Sequence, residues 1–169
     1  MRPDDAEIRR LTPADGDLFR EIRLEALRSN PEAFGSTYEM ESVQNLDFFS
    51  ARLRTSEMLG AFDGTEIVGM AGLLVRSGLK EAHKGVLVSM YVRPQARRRG
   101  VGRRLAEAVI DIARQRIELL QLAVVSSNES ARQLYADLGF LEYGYEKKAL
   151  KQDGRYYDEI LMAKDLTSQ

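Results

Sequence analysis

The chain has 169 residues, 44% hydrophobic and 30% charged, with a formal net charge of −1, the balance of a folded domain rather than a disordered segment. It has no cysteine, which excludes disulfides, thiolate metal sites and a cysteine nucleophile and fits a reducing compartment. The near-neutral charge gives no global attraction to nucleic acid or an anionic membrane, and no apolar run reaches membrane-spanning length.

The opening MRPDDAEIRR carries no apolar leader segment, so the expectation is a cytoplasmic protein. Residues 6–11 read as a short strand. Thr12 as N-cap with Pro13 at the first helical position then opens a helix, with Leu18, Ile22, Leu24, Ala26 and Leu27 as its apolar residues. Asn30-Pro31 ends it, because the residue before a proline leaves the helical region. Residues 36–54 read as a weaker helical stretch in two pieces.

Strands follow. EMLGAF and TEIVGMAGLLV flank Asp63-Gly64, a hairpin signal because a two-residue turn needs positive φ. GVLVSMYV (85–92) is a continuous apolar run, as in a strand covered on both faces, and Arg93-Pro94 ends it. Residues 100–116 read as an amphipathic helix with Val101, Leu105, Ala108, Val109 and Ile112 inward. LLQLAVV (119–125) is another strand. Asn128 caps a short helix whose inward face is Ala131, Leu134, Tyr135 and Leu138, with Gly139 as its natural terminator. Two strands close the chain, joined at Asp153-Gly154. With no linker or repeat, residues 1–169 read as one domain, α/β with a mixed sheet, in which strand–helix–strand units imply parallel pairing at the centre.

The segment from Met90 to Leu105 carries the chemistry: a buried strand runs into an arginine-rich, glycine-containing turn that opens a helix. Amides in a helix's first turn have no internal acceptor and sit at the positive end of its dipole. Gly100 and Gly102 let an anion reach the backbone, and Arg97, Arg98, Arg99 and Arg103 add charge at the same place. A pyrophosphate suits that geometry. The P-loop pattern is absent, and Gly100-Val101-Gly102 lacks the third glycine of the dinucleotide fingerprint.

Arg97-Arg-Arg-Gly100-Val101-Gly102 does resemble the acetyl-CoA signature of the GNAT N-acetyltransferase superfamily, Q/R-x-x-G-x-G/A. SSNESARQLYADLGF (126–140) is similar to that family's second block, N-x-x-A-x-x-L-Y-x-x-x-G-F. The resemblance implies the GNAT fold: a mostly antiparallel mixed sheet with a splayed parallel pair and helices on both faces. It implies acetyl-CoA as donor and an amine as acceptor. With no cysteine to carry an acyl-enzyme, direct attack in a ternary complex is the expected route, and the near-neutral charge, the lack of a long apolar run and the single histidine point to no nucleic acid, membrane or metal. The resemblance also carries a homodimer as the family's common assembly.

By the same resemblance, backbone groups of Met90, Tyr91 and Val92 pair with the pantetheine arm, and an amide near Val92 meets the oxyanion. Residues 97–103, Arg97 through Arg103 with Val101 among them, hold the pyrophosphate. Asn128 and Ser130 contact the donor's polar arm. Tyr135 is the general acid, protonated at neutral pH because a free tyrosine has a pKa near ~10. On spacing alone Tyr135 is a core residue, and Asn128 a helix cap.

Departing from many relatives, no acid occurs between Gly85 and Val92 to act as base; Glu39, Glu41, Asp158 or a chain of waters are the candidates. Residues 28–42 and 154–161 supply acids and aromatics suited to a cationic amine. His83, the one histidine, falls in a polar loop. The same donor residues without an acceptor site would make a non-catalytic acyl-CoA sensor, the first competing reading; the second is a nucleic-acid module using the arginine cluster, which predicts strongly salt-dependent binding.

Overall fold

The computed structural model describes residues 6–168; residues 1–5, where the reading of the opening segment begins, lie outside it. In chain order the elements are β1 (Glu7–Arg10), α1 (Gly16–Ser29), α2 (Tyr38–Ser42), α3 (Leu46–Thr55), β2 (Glu57–Asp63), β3 (Glu66–Val75), β4 (Lys84–Val92), α4 (Val101–Arg114), β5 (Leu119–Val125), α5 (Glu129–Asp137), β6 (Leu141–Gln152) and β7 (Arg155–Asp165). Seven strands form one sheet in the order β1-β2-β3-β4-β5-β7-β6. Among the described residues only β4 and β5 run parallel; the other neighbours are antiparallel. The expected mixed sheet is what the chain builds.

Two cores follow from strand alternation. On one face α4 packs against β1, β2, β3 and β4, in a core whose buried residues include Leu105, Val109, Leu59, Leu73, Leu120 and Met162. On the other, α1 and α3 bring Phe19, Ile22, Phe49 and Leu53 against Met58, Ile67 and Met70. The helical stripes are rotated slightly from the sequence reading. In α4 the buried set is Val101, Leu105, Ala106, Val109, Ile110 and Ala113, while Ala108 and Ile112 sit half-buried at its margin. In α1 Phe19 is buried and Leu18 only partly. A wide sheet contacts a broader helical arc than one i, i+4 row, which is why the flanking positions are recruited.

The first hairpin turn lies one residue later than the sequence suggested. Asp63 pairs with Glu66, so the central residues are Gly64 and Thr65, with Gly64 at φ +62°. Glycine at the first central position suits a II′ turn. The last hairpin turns at Asp153 and Gly154 as expected, both at positive φ. Thr12 does begin the first helical region, through a short 3-10 turn over Pro13–Asp15 whose Asp15 carboxylate accepts the Thr12 amide at 2.7 Å.

The feature that positions the site is the centre of the sheet. β4 and β5 are in register only at Lys84–Leu119, Gly85–Leu120 and Val86–Gln121. Beyond Val86 the two strands part. On its other edge β4 pairs Tyr91 with Met70 and then Val88 with Gly72, so Ser89 and Met90 together face Ala71. Such a bulge bends the strand, and it holds Ser89 at φ +58°, a left-handed conformation costing a non-glycine residue about 1–2 kcal/mol.

Candidate active site

A cleft of about 520 Å³ opens where the strands part. Val86 to Met90 form one wall, Leu122 to Val125 the other, and Asn128, Ala131 and Tyr135 close it from the α5 side. Phe34, Gly35 and Ser36 from the loop after α1 line it as well, as do Arg23, Arg52 and Glu159. The sheet divides to make room between its own strands.

The glycine-rich turn starts α4. Gly100 is the N-cap residue at φ +74° and Arg98 sits at φ +62°, two left-handed residues either side of Arg99. A Cβ on Gly100 would meet nothing within 4 Å, and one on Gly102 would meet only Val92 and Leu134 methyls at 3.7 and 3.8 Å. Packing therefore does not require glycine at 102, and bare backbone there suits a ligand that comes close. Among the arginines, Arg97 donates from Nε to the Val92 carbonyl at 2.9 Å. Arg99 and Arg103 make ion pairs with Asp63 and Asp137 at 3.5 and 3.4 Å. Both pairs are solvent-facing and contribute little, so an anion can compete for these cations.

Tyr135 is held by the end of α5. Phe140 N–H donates to the Tyr135 carbonyl and Gly139 N–H to that of Ala136, both at 3.0 Å. These are the two bonds of a Schellman motif, with Gly139 at φ +91°. The Tyr135 and Phe140 rings meet edge to face at 5.8 Å. The tyrosine is 5% exposed, and desolvation pushes its hydroxyl up to about 12. Core packing and cleft lining are thus both true of it. Asn128 caps α5 by accepting Ala131 N–H at 3.2 Å while lining the cleft. Ser130 is exposed in the first turn of α5, outside the lining.

The strand residues separate. Met90 lines the cleft. Tyr91 turns to the opposite core and donates its hydroxyl to Glu25 at 3.0 Å. Val92 packs beside α4, its carbonyl taken by Arg97. Next to them Arg93, read from sequence only as the end of a strand, is 7% exposed and bonds Glu21, Glu25 and Glu66. That fan of carboxylates ties the start of the signature to α1 and β3.

The three carboxylates considered as bases are placed differently. Glu41 is 4% exposed and accepts two bonds from Arg23 at 3.0 Å and one from Arg52 at 3.2 Å. Burial raises its pKa, but the bonds and charge of Arg23, with help from Ser36 and Arg52, outweigh it and leave the group below its ordinary value. Arg23 also donates to Ser89 Oγ at 3.0 Å, which braces the strained bulge. Asp158 accepts the Tyr145 hydroxyl at 2.6 Å and Lys148 N–H at 2.7 Å, bonds that lower its pKa. Glu39 is exposed on α2. None of the three lines the cleft. His83 is exposed in its loop, as its sequence surroundings suggested.

Among the described residues, no helix is long and apolar enough to cross a membrane. The family model described as the Acetyltransferase (GNAT) family matches residues 19–140. Mycothiol acetyltransferase of Acidothermus cellulolyticus is 31% identical over 153 residues, covering 84% of this chain and 46% of that protein. The N-alpha-acetyltransferase RimI of Mycobacterium tuberculosis is 31% identical over 107 residues, 63% of this chain and 65% of that one. The chain thus spans about half the length of the first relative and just under two thirds of the second. A solved ribosomal-protein-alanine N-acetyltransferase from Brucella melitensis superposes with a TM-score of 0.82 at 26% identity, covering 94% of this chain and 99% of that one. The Salmonella typhimurium protein yncA, solved with its cofactor acetyl-CoA, superposes at 0.85 with 22% identity over 98% of this chain and 96% of that one. With its divided sheet, its glycine-opened helix and a family match over residues 19–140, the chain belongs to the GNAT acetyltransferase family.

Proposed function

We propose that this chain is a cytoplasmic N-acetyltransferase that takes acetyl from acetyl-CoA and gives it to a primary amine by direct attack in a ternary complex. The observation that carries this reading is the cleft between β4 and β5, which opens at Val86 with Tyr135 in its lining, beside a helix start rich in bare amides. When bound, the donor supplies an activated acyl carbon. The amides of Val101, Gly102 and Arg103 and the cations around them suit its diphosphate. The β4 edge beyond Val86, unpaired with β5, suits the amides of its arm. Tyr135, kept protonated by burial, suits a proton donor to a departing thiolate.

The acceptor side is the loop after α1, where Phe34 and Ser36 line the cleft together with Arg23 and Arg52. Two similar proteins are named as an N-alpha-acetyltransferase and a ribosomal-protein-alanine N-acetyltransferase, which supports including peptide α-amines among the acceptors to try. The test is thiol release from acetyl-CoA across an alanine-terminated peptide, spermidine and glucosamine. Tyr135→Phe is expected to lower kcat by about 10²-fold, with CoA affinity unchanged by calorimetry. CoA binding without turnover on any amine would favour the sensor reading, and no heat from CoA would overturn both.

A further inference from the structure

An amine acceptor reaches a neutral-pH active site mostly as an ammonium, with an ordinary pKa near ~7.7–8.0 for a peptide α-amine and ~10.4 for a lysine-like amine. Something must accept its proton before its lone pair can attack. The candidates suggested by sequence are engaged or elsewhere: Glu41 is locked between Arg23 and Arg52, and Asp158 is bonded by Tyr145 and the Lys148 amide. Among the described residues lining the cleft there is one carboxylate, Glu159 of β7.

The register gives Glu159 its direction. It pairs with Val125 on β5, and directly paired residues point to the same face. Its neighbour Ile160 belongs to the core beneath α4, so Glu159 faces the opposite side, with Val125 and Ala123 of the cleft wall. On its other flank it pairs with Glu146 of β6. Two carboxylates directly across an antiparallel pair repel each other. Among the described residues neither has an ion pair or hydrogen bond to relieve the repulsion, which is the arrangement a cation would relieve. Burial, then Glu146, raises the Glu159 pKa above its ordinary value, toward the range where a carboxylate is an effective base. The other ionisable groups around the cleft are Arg23 from α1, Arg52 from α3 and Tyr135 from α5.

We infer that Glu159 receives the acceptor's ammonium and takes its proton, an inference that rests on the acetyltransfer reading above. The balance closes. The Glu159 carboxylate takes one proton from R–NH3+ and returns it to water. The freed lone pair forms the C–N bond at the thioester carbonyl, and the C–S bond breaks. The thiolate takes the Tyr135 hydroxyl proton, which the second proton leaving nitrogen replaces. The products are the amide, the free thiol and one released proton.

The test compares wild type, Glu159→Gln and Glu146→Gln on whichever of the three amines named above wild type turns over fastest. Glu159→Gln, isosteric and uncharged, is expected to lose about 10²-fold in kcat, to lose the acidic limb of the pH–rate profile, and to keep wild-type CoA affinity by calorimetry. Glu146→Gln is expected to keep the plateau rate while its acidic limb moves to lower pH, because removing a neighbouring negative charge lets Glu159 ionise sooner. Wild-type-like kcat in Glu159→Gln, or an unchanged acidic limb, overturns this inference alone. Lost CoA affinity in that variant also overturns it, by making the residue a support of the donor site. A wild type that acetylates none of the amines overturns the acetyltransfer reading, and this inference with it.

Discussion

Replacing Glu41 by alanine is expected to be among the costlier single changes this protein can suffer. The carboxylate is 4% exposed and the Arg23 partner 5%, and two bonds of 3.0 Å join them. Removing one member of a buried pair leaves the other charged and desolvated, which costs about 3–5 kcal/mol. Arg52, with a side chain 35% exposed, can recover water and adds little. Against the total stability of about 5–15 kcal/mol usual for a domain, the loss is large, and at this size it corresponds to about 6–20 °C in Tm. Urea unfolding followed by circular dichroism measures it, and a loss below about 1 kcal/mol would refute the reasoning. The double variant Glu41→Leu with Arg23→Met is expected to recover most of the stability, because no charge is then stranded. The pH dependence has a definite sign. The folded pKa of Glu41 is lowered, so its contribution is complete above the ordinary carboxylate range and falls away as pH drops through the folded value. Wild type and Glu41→Ala are therefore expected to converge in stability at acid pH.

Two further variants probe the end and the beginning of α5. Gly139→Ala places a Cβ at φ +91° and 2.6 Å from Lys164 Nζ; the lysine tip can move, so backbone strain of about 1–2 kcal/mol dominates, read as a Tm lower by about 2–8 °C. Asn128→Ala removes the acceptor for the Ala131 amide and is expected to shift the urea midpoint by the equivalent of about 1 kcal/mol.

Local chemistry was legible in the sequence. The Asn128 cap, the Gly139 terminator with Phe140 behind it, the Asp153-Gly154 turn and the glycines opening α4 each depend on residues within a few positions of one another. What stayed hidden depends on partners far apart in sequence. Glu41 reads from sequence as one of three candidate bases, and nothing there joins it to Arg23, 18 residues away on another helix. Arg93 looked like a strand end, because its three glutamates lie on α1 and β3. Nothing in the sequence separates Glu159 from its neighbour Asp158: adjacent strand residues point to opposite faces, and only the pairing with Val125 tells which face holds the cleft. The bulge at Ser89 gave no signal either, since serine is not a residue that announces a left-handed backbone.

Three residue pairs stitch one half of the sheet to the other, those between Lys84–Val86 and Leu119–Gln121. A seam so short is expected to make this the point at which the sheet opens most readily. A molecule laid along the gap would act as a missing rung, bridging walls that the chain itself leaves apart. Occupancy is then expected to slow amide hydrogen exchange in β4 and β5 first, and to lend the whole fold rigidity in proportion to how tightly that rung is held.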